Sequence, residues 1–294
     1  MLTVPAHVGP PIDPSDLWTS WNLDPAVWLV LFTVGAVYVE TWRHGRHGRR
    51  SRAQRRLFVA GMLVVAIALV SPLDAMTASL ASAHMVQHLL LTTVAAPLLV
   101  AGAPVRSFLA GLPRPMRRTV HGWRTTAAGR FGRALLSRPI AASVPHVVAL
   151  WLWHAPGPYD AALGDHVLHG VEHVSFLATA LLSWASILAA GRRRSERPGL
   201  AMMTLFGLSL QSGILGLLLT FAPSPWYPSY AATTDDWGLS ALADQQLAGV
   251  IMWVPAGGVY LAAALLLLSR WIRQPPPAST WPTQRAPAPS RTLT

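Results

Sequence analysis

The chain of 294 residues contains no cysteine and no lysine, and only 12 of its residues are acidic. The first absence excludes disulfides, thiolate metal sites and thiol redox chemistry together. The second leaves arginine as the sole permanent cation, so all 23 basic residues are Arg. Charge of either sign is sparse, at 12% of the chain, and no stretch has the make-up of a water-soluble domain. Apolar residues account for 52% and Trp occurs 13 times, the composition of a membrane protein with aromatic anchors at its interfaces. The opening segment MLTVPAHVGPPIDPSD lacks a basic start followed by a short apolar core, so no cleavable signal peptide is expected.

What is present is a series of apolar segments, and it predicts an all-α polytopic fold of seven transmembrane helices. The spans fall at 25–42, 57–70, 75–101, 140–153, 166–190, 200–221 and 242–271. They define a membrane domain over 25–273, preceded by an extracytoplasmic segment 1–24 and followed by a Pro-rich cytoplasmic tail 274–294 expected to be disordered. Seven Arg lie in 43–56, eight in 102–139, four in 191–199 and four from the inner end of the last span onward, beginning with Arg270, which together are every Arg in the chain. Alternate connections therefore carry all the positive charge, which places the N-terminus outside, the C-terminus in the cytoplasm and the protein in a plasma membrane of bacterial type. Those basic segments suit anionic lipid headgroups, and the stretch at 102–139 reads either as interfacial helices or as an irregular loop. Nucleic-acid binding would need the same charge on a folded domain with interleaved aromatics, and none is present.

The third span, 75–101, holds the most unusual residues. It carries no charge and is long enough for a hydrocarbon core of about 30 Å, yet it contains His84 and His88, four apart on one face, with Met85 and Gln87 beside them. His84 and His88 are expected roughly 12 Å and 18 Å along this helix from Met76. His154 ends the fourth span on the same side. His166, His169 and His173 open the fifth along one face with Glu172 among them, and Asp244, Gln245 and Gln246 begin the seventh. Polar side chains at membrane depth are costly and point to function. Imidazoles from two helices suit Cu, Zn or Fe, although an isolated pair serves equally well as an interhelical hydrogen bond. His146, alone in its span, reads as a satisfied core residue, and Met85 and Met252 as packing or as thioether ligands. Pro97 is expected to kink the third helix near Thr93, and PWYPSY at 225–230 reads as an interfacial aromatic belt.

The blocks SPLDAMTASLASAHMVQHLLL, WLWHAPGPYDAAL, HVLHGVEHVSFL, APSPWYPSY and ADQQLAGVIMWVPAG, between about residues 70 and 260, resemble in order and spacing the CtaG-like family of cytochrome c oxidase assembly factors. The resemblance implies a non-enzymatic, seven-span protein needed to make a caa-type haem-copper oxidase, with oxidase subunits as partners and a role in copper delivery. It also implies metal positions at His84, His88, His154, His169 and His173, and supporting positions at Asp74, Asp160, Asp244, Gln245 and Gln246. An unrelated single-span copper chaperone of the same name uses thiolates, which this chain lacks.

The residues and the resemblance together predict one site of His84, His88, His169 and His173 with His154 at its entrance, binding copper transiently. Gln87, Glu172 or Asp244 would accept hydrogen bonds from the second ring nitrogens, and Asp74 and Asp244 would support the rim. A haem-bearing electron carrier, a metal or proton transporter and a metal-free scaffold are the alternatives. The transporter reading is weakened by the lack of an acidic ladder below His88.

Overall fold

The structure is a computed structural model that describes residues 11–43, 49–102, 112, 114–192 and 198–273, and no strand occurs among them. The helices are α1 (Pro25–Arg43), α2 (Arg49–Val70), α3 (Pro72–Met76), α4 (Ala81–Leu89), α5 (Ala96–Gly102), α6 (Arg114–Thr125), α7 (Ala127–Leu136), α8 (Pro139–His154), α9 (Pro156–Gly164), α10 (His166–Arg192), α11 (Pro198–Thr220) and α12 (Ala241–Ile272). Five segments are long and apolar enough to cross a membrane: Arg52–Val70, Ala81–Gly102, His166–Gly191, Pro198–Thr220 and Ala241–Ile272. A sixth arises if α7 and α8, which meet at 95°, count as one span, whereas the apolar part of α1, Pro25–Glu40, is shorter. The expected tail after residue 273 lies outside the described residues.

Five local features differ from the sequence expectation or decide what it left open. The third span begins at Ala81, not Ala75, because Ser71 caps the short α3 through a 3.3 Å bond from Leu73 N and the chain then turns before Leu80. His84 therefore stands in the first turn of its helix, and His88 one turn further in. Pro97 has no N–H to offer the carbonyl of Thr93, and the chain meets this with a π-helical stretch, Leu90–Ala95, joining α4 to α5. The connection after His154, expected to be a short turn, is the helix α9, opened by Pro156 and burying Tyr159 and Ala162 on one side. The PWYPSY run is no exposed belt, since Tyr227 and Tyr230 are buried in the interior. In the basic connection, α6 and α7 are helices, and no residue of α6 is buried.

Packing and surface are those of a bundle in lipid. Along α1, α10, α11 and α12, Phe32, Val174, Phe206 and Leu265 are all more than half exposed, which water would not tolerate over so wide a surface. Helices α11 and α12 pack closely at Gly216 and Gly249, where a Cβ added to Gly249 would lie 2.6 Å from the Gly216 carbonyl oxygen. Small residues permit such backbone contact between membrane helices. A core of Met85, Trp153, Tyr159, Phe176, Tyr227, Tyr230 and Met252 gathers at the Arg-free end of the bundle.

Candidate metal centre

The site is built at that end by one carboxylate acting on another helix. Asp244, in the first turn of α12, accepts hydrogen bonds from Ala81 N (2.7 Å), Ser82 N (3.2 Å) and Ser82 Oγ (2.5 Å). The orphan N–H groups that open α4 are thereby satisfied by a negative charge at the positive end of the helix. With its start so held, α4 turns His84 and His88 toward α10. From α10 come His169 and His173, one turn apart, and Glu172.

The rings crowd round one point. Centroids are 4.3 Å apart for His84 and His88, 4.2 Å for His169 and His173, 5.2 Å for His84 and His169, and 5.4 Å for His88 and His173. Glu172 is fully buried between them, its two oxygens 3.7 Å from His84 Nε2 and 3.6 Å from His88 Nε2. Both separations are too long for hydrogen bonds. Among the described residues, His84 Nε2, both nitrogens of His88 and both oxygens of Glu172 have no hydrogen-bond partner at all. A buried carboxylate facing imidazole nitrogens without a bond to any of them is costly for a structural cluster. It is what a ligand set awaiting an ion looks like: ligand atoms ~2.1 Å from one ion at tetrahedral angles lie ~3.4 Å from each other. Two overlapping triads come near that spacing, His84 with His88 and Glu172, and His84 with His169 and His173, each with its ligand atoms within 4.8 Å of one another.

The tautomer of His84 follows from its neighbours. Tyr230 Oη is 2.8 Å from the Thr77 carbonyl, which can only accept, so the Tyr230 proton is committed there. Tyr159 Oη lies 3.1 Å from Tyr230 Oη and 3.0 Å from His84 Nδ1. All three contacts are satisfied when His84 Nδ1–H donates to Tyr159, Tyr159 to Tyr230, and Tyr230 to Thr77. Burial pushes both tyrosine hydroxyls well above their usual range, so both keep their protons. The consequence is an unprotonated Nε2 on His84, facing Glu172, ready to ligate. Tyr227 completes the roof, stacking on Tyr159 at 3.8 Å and donating to the His154 carbonyl at 2.9 Å.

Of the other predicted residues, His154 and Gln87 are placed differently from expectation, and His146 is a buried, bonded core residue as expected. His154 is not at an entrance: it is buried, its ring 6.0 Å from that of His88, with Nδ1 on the Leu150 carbonyl at 2.7 Å and Nε2 beside Met85 Sδ at 3.2 Å. Gln87 faces away from the imidazoles and donates to Asp74 Oδ1 and the Ala68 carbonyl. Asp74, also bound by Asn22 at 2.7 Å, ties the N-terminal segment to α4, and its burial raises its pKa to about 7 against those two hydrogen bonds. Asp160 accepts from Ser229 Oγ, Gln245 from Trp226 N, and Gln246 donates to the Ala222 carbonyl, so all three hold the roof rather than an ion. His146 is buried with Nδ1 3.2 Å from Thr179 Oγ1. Sequence reasoning passed over Tyr159 and Tyr230; the signal available was two tyrosines three apart, Tyr227 and Tyr230, in a segment read only as a belt. A lateral apolar cavity of about 570 Å³ between α1, α2 and α10 reaches His169 and His173.

Comparison with known proteins adds a family. The family model described as cytochrome c oxidase caa3 assembly factor (Caa3_CtaG) matches residues 31–274. An uncharacterized protein of Mycobacterium bovis, Mb0105, is 29% identical over 201 residues, covering 66% of this chain and 30% of that protein, and Mycobacterium tuberculosis MT0111 matches to the same extent. Mycobacterium leprae ML1998, likewise uncharacterized, is 22% identical over 264 residues, 87% of this chain and 40% of that protein. The chain thus spans less than half the length of these relatives. No solved structure matches it.

Proposed function

We propose, from the premise that this chain belongs to the family of cytochrome c oxidase caa3 assembly factors, that it serves oxidase maturation by holding copper at the His84, His88, His169, His173 and Glu172 centre and releasing it to an oxidase subunit. The observation that carries this reading is the buried Glu172 carboxylate, within 3.7 Å of two imidazoles and bonded to neither. Copper is cargo in this role, and no bond of a substrate is made or broken. The chain's own part is to present imidazole nitrogens, that of His84 with its tautomer fixed by Tyr159, to supply one compensating negative charge, and to exclude water beneath the tyrosine roof. Imidazole and carboxylate hold Cu(II) well, and a set without thiolate lets the ion go more readily than a thiolate site would.

Placing the Arg-free end outside, as the distribution of Arg favours, puts the centre near the outer surface of the membrane. Single cysteines in this cysteine-free chain test that orientation. Ala161→Cys should react with a membrane-impermeant reagent in intact cells and Gly122→Cys should not.

Haem is the second reading, favoured by one observation: His169 and His173 border an apolar cavity large enough for a prosthetic group. The tight cluster of rings favours an ion over a planar macrocycle. Metal and pigment analysis of the detergent-purified protein beside a His84→Ala/His88→Ala variant separates the cases. Copper in the wild type alone supports the proposal, a Soret band supports haem, and neither, with oxidase assembly intact in the variant, supports a metal-free scaffold.

A further inference from the structure

One contact in the bundle has no place in the centre described above. The Nδ1 of His154 lies 2.7 Å from the Leu150 carbonyl, and because a carbonyl has no proton to give, Nδ1 carries the ring's hydrogen. In the neutral ring Nε2 is then a bare lone pair. It faces Met85 Sδ at 3.2 Å, and a thioether has no hydrogen either. Two electron-pair donors thus stand in contact, both buried to within 1% exposure and walled by Trp153, Leu150 and Phe176. Packing alone does not favour aiming these two atoms at each other. A cation shared by both does.

Space and further donors lie alongside. A cavity of about 30 Å³ is bordered by Met85 and His154 and also by His88, His146 and Met252. That is room for a single ion or water molecule. Thioether sulfur with imidazole nitrogen is a soft set that selects monovalent copper or silver, in contrast to the nitrogen and oxygen set around Glu172. We propose that Met85 and His154 form a second metal site, specific for a soft monovalent cation of the Cu(I) or Ag(I) class, with His88 of the Glu172 centre bordering the same cavity. It rests on Met85 and His154 themselves and stands whether or not the Glu172 centre carries copper for an oxidase.

Silver is the probe, since it is soft and needs no reductant. Ag(I) and Zn(II) binding would be measured by equilibrium dialysis on the detergent-purified full-length chain, comparing wild type with Met85→Leu, Glu172→Gln and, as a control, Met116→Leu at an exposed position. Met85→Leu preserves volume, so the bundle is retained. The expected result is Ag(I) affinity lowered at least about tenfold in Met85→Leu, Zn(II) affinity unchanged there, and Met116→Leu like wild type. Loss of Zn(II) but not Ag(I) in Glu172→Gln would support two distinct sites. Zn(II) binding indifferent to Glu172→Gln would count against the oxidase copper centre while leaving this site standing. Wild-type Ag(I) affinity in Met85→Leu overturns the proposal. X-ray absorption at the silver edge of the wild type gives a check independent of any variant: a sulfur neighbour is expected beside nitrogen, and a first shell without sulfur overturns the proposal.

Discussion

Asp244 on α12 holds Ser82 on α4, 162 residues away in sequence, through both its backbone N–H and its hydroxyl. One carboxylate thus sets where the helix of His84 and His88 begins. Its two oxygens face only donors, namely Ala81 N, Ser82 N and Ser82 Oγ. Asp244→Asn would turn an amide N–H₂ toward one of them. Both Asp244→Asn and Asp244→Ala are expected to lower stability by about 1–3 kcal/mol, read as thermal unfolding in detergent, and to weaken metal binding in proportion. An Asn variant as stable as wild type would show that the charge and its geometry are dispensable.

Glu172 should behave oppositely in the two assays. Buried without a hydrogen bond, its carboxylate costs the metal-free protein free energy and is compensated only when an ion is bound. Glu172→Gln is expected to leave the metal-free protein as stable as wild type or more so, and to reduce copper affinity by about tenfold or more. Calorimetric titration with copper beside unfolding curves of the metal-free proteins checks both signs.

Tyr159→Phe removes the nearer acceptor for His84 Nδ1–H, at 3.0 Å, and leaves only Tyr230 Oη at 3.3 Å, while keeping the ring that stacks on Tyr227. The proton of His84 is then held less firmly on Nδ1, and its move to Nε2 blocks ligation. Copper affinity is expected to fall by about 10- to 100-fold with little change in fold, measured by metal competition and circular dichroism. Tyr227→Phe, which loses a bond to the His154 carbonyl and none to His84, should affect copper much less.

Asp74 makes stability depend on pH. Its pKa is raised from an ordinary 3.8 to about 7, chiefly by burial. Between those values the folded protein holds a proton that the unfolded chain has lost, so stability is greatest below about pH 4, falls as pH rises toward 7, and is level above. Denaturation midpoints across pH 4–8 should show that decline, and Asp74→Asn should flatten it.

The approach of α11 and α12 is set by Gly249. A Cβ there would meet the Gly216 carbonyl oxygen at 2.6 Å and Thr220 N at 2.7 Å, both backbone atoms that cannot swing aside. Gly249→Val is expected to cost about 1–3 kcal/mol and to reduce the yield of folded protein, while Gly213→Val, with open space around its Cβ, should be tolerated far better.

Much of this protein was legible in its residues, and for a definite reason. A bilayer demands long apolar helices with internally satisfied backbones, so the number and order of the apolar segments can be read from hydropathy, even though α1 and α8 are too short for length and composition alone to count them as spans. The pairs His84 with His88 and His169 with His173 are helical neighbours, and local spacing is enough to place each on one face. What local spacing could not decide was anything that depends on which helix end meets which. The start of α4 at Ala81 is determined by Asp244 from another helix and by the cap at Ser71. Tyr159 and Tyr230 enter the centre only because α9 and the 228–230 turn fold over it and find the Thr77 carbonyl there. His154 faces Met85 rather than an opening because its other nitrogen is taken by its own helix. Each of these assignments belongs to hydrogen-bond partners distant in sequence, and a partner is known only when the chain has folded and brought it within 3 Å or so.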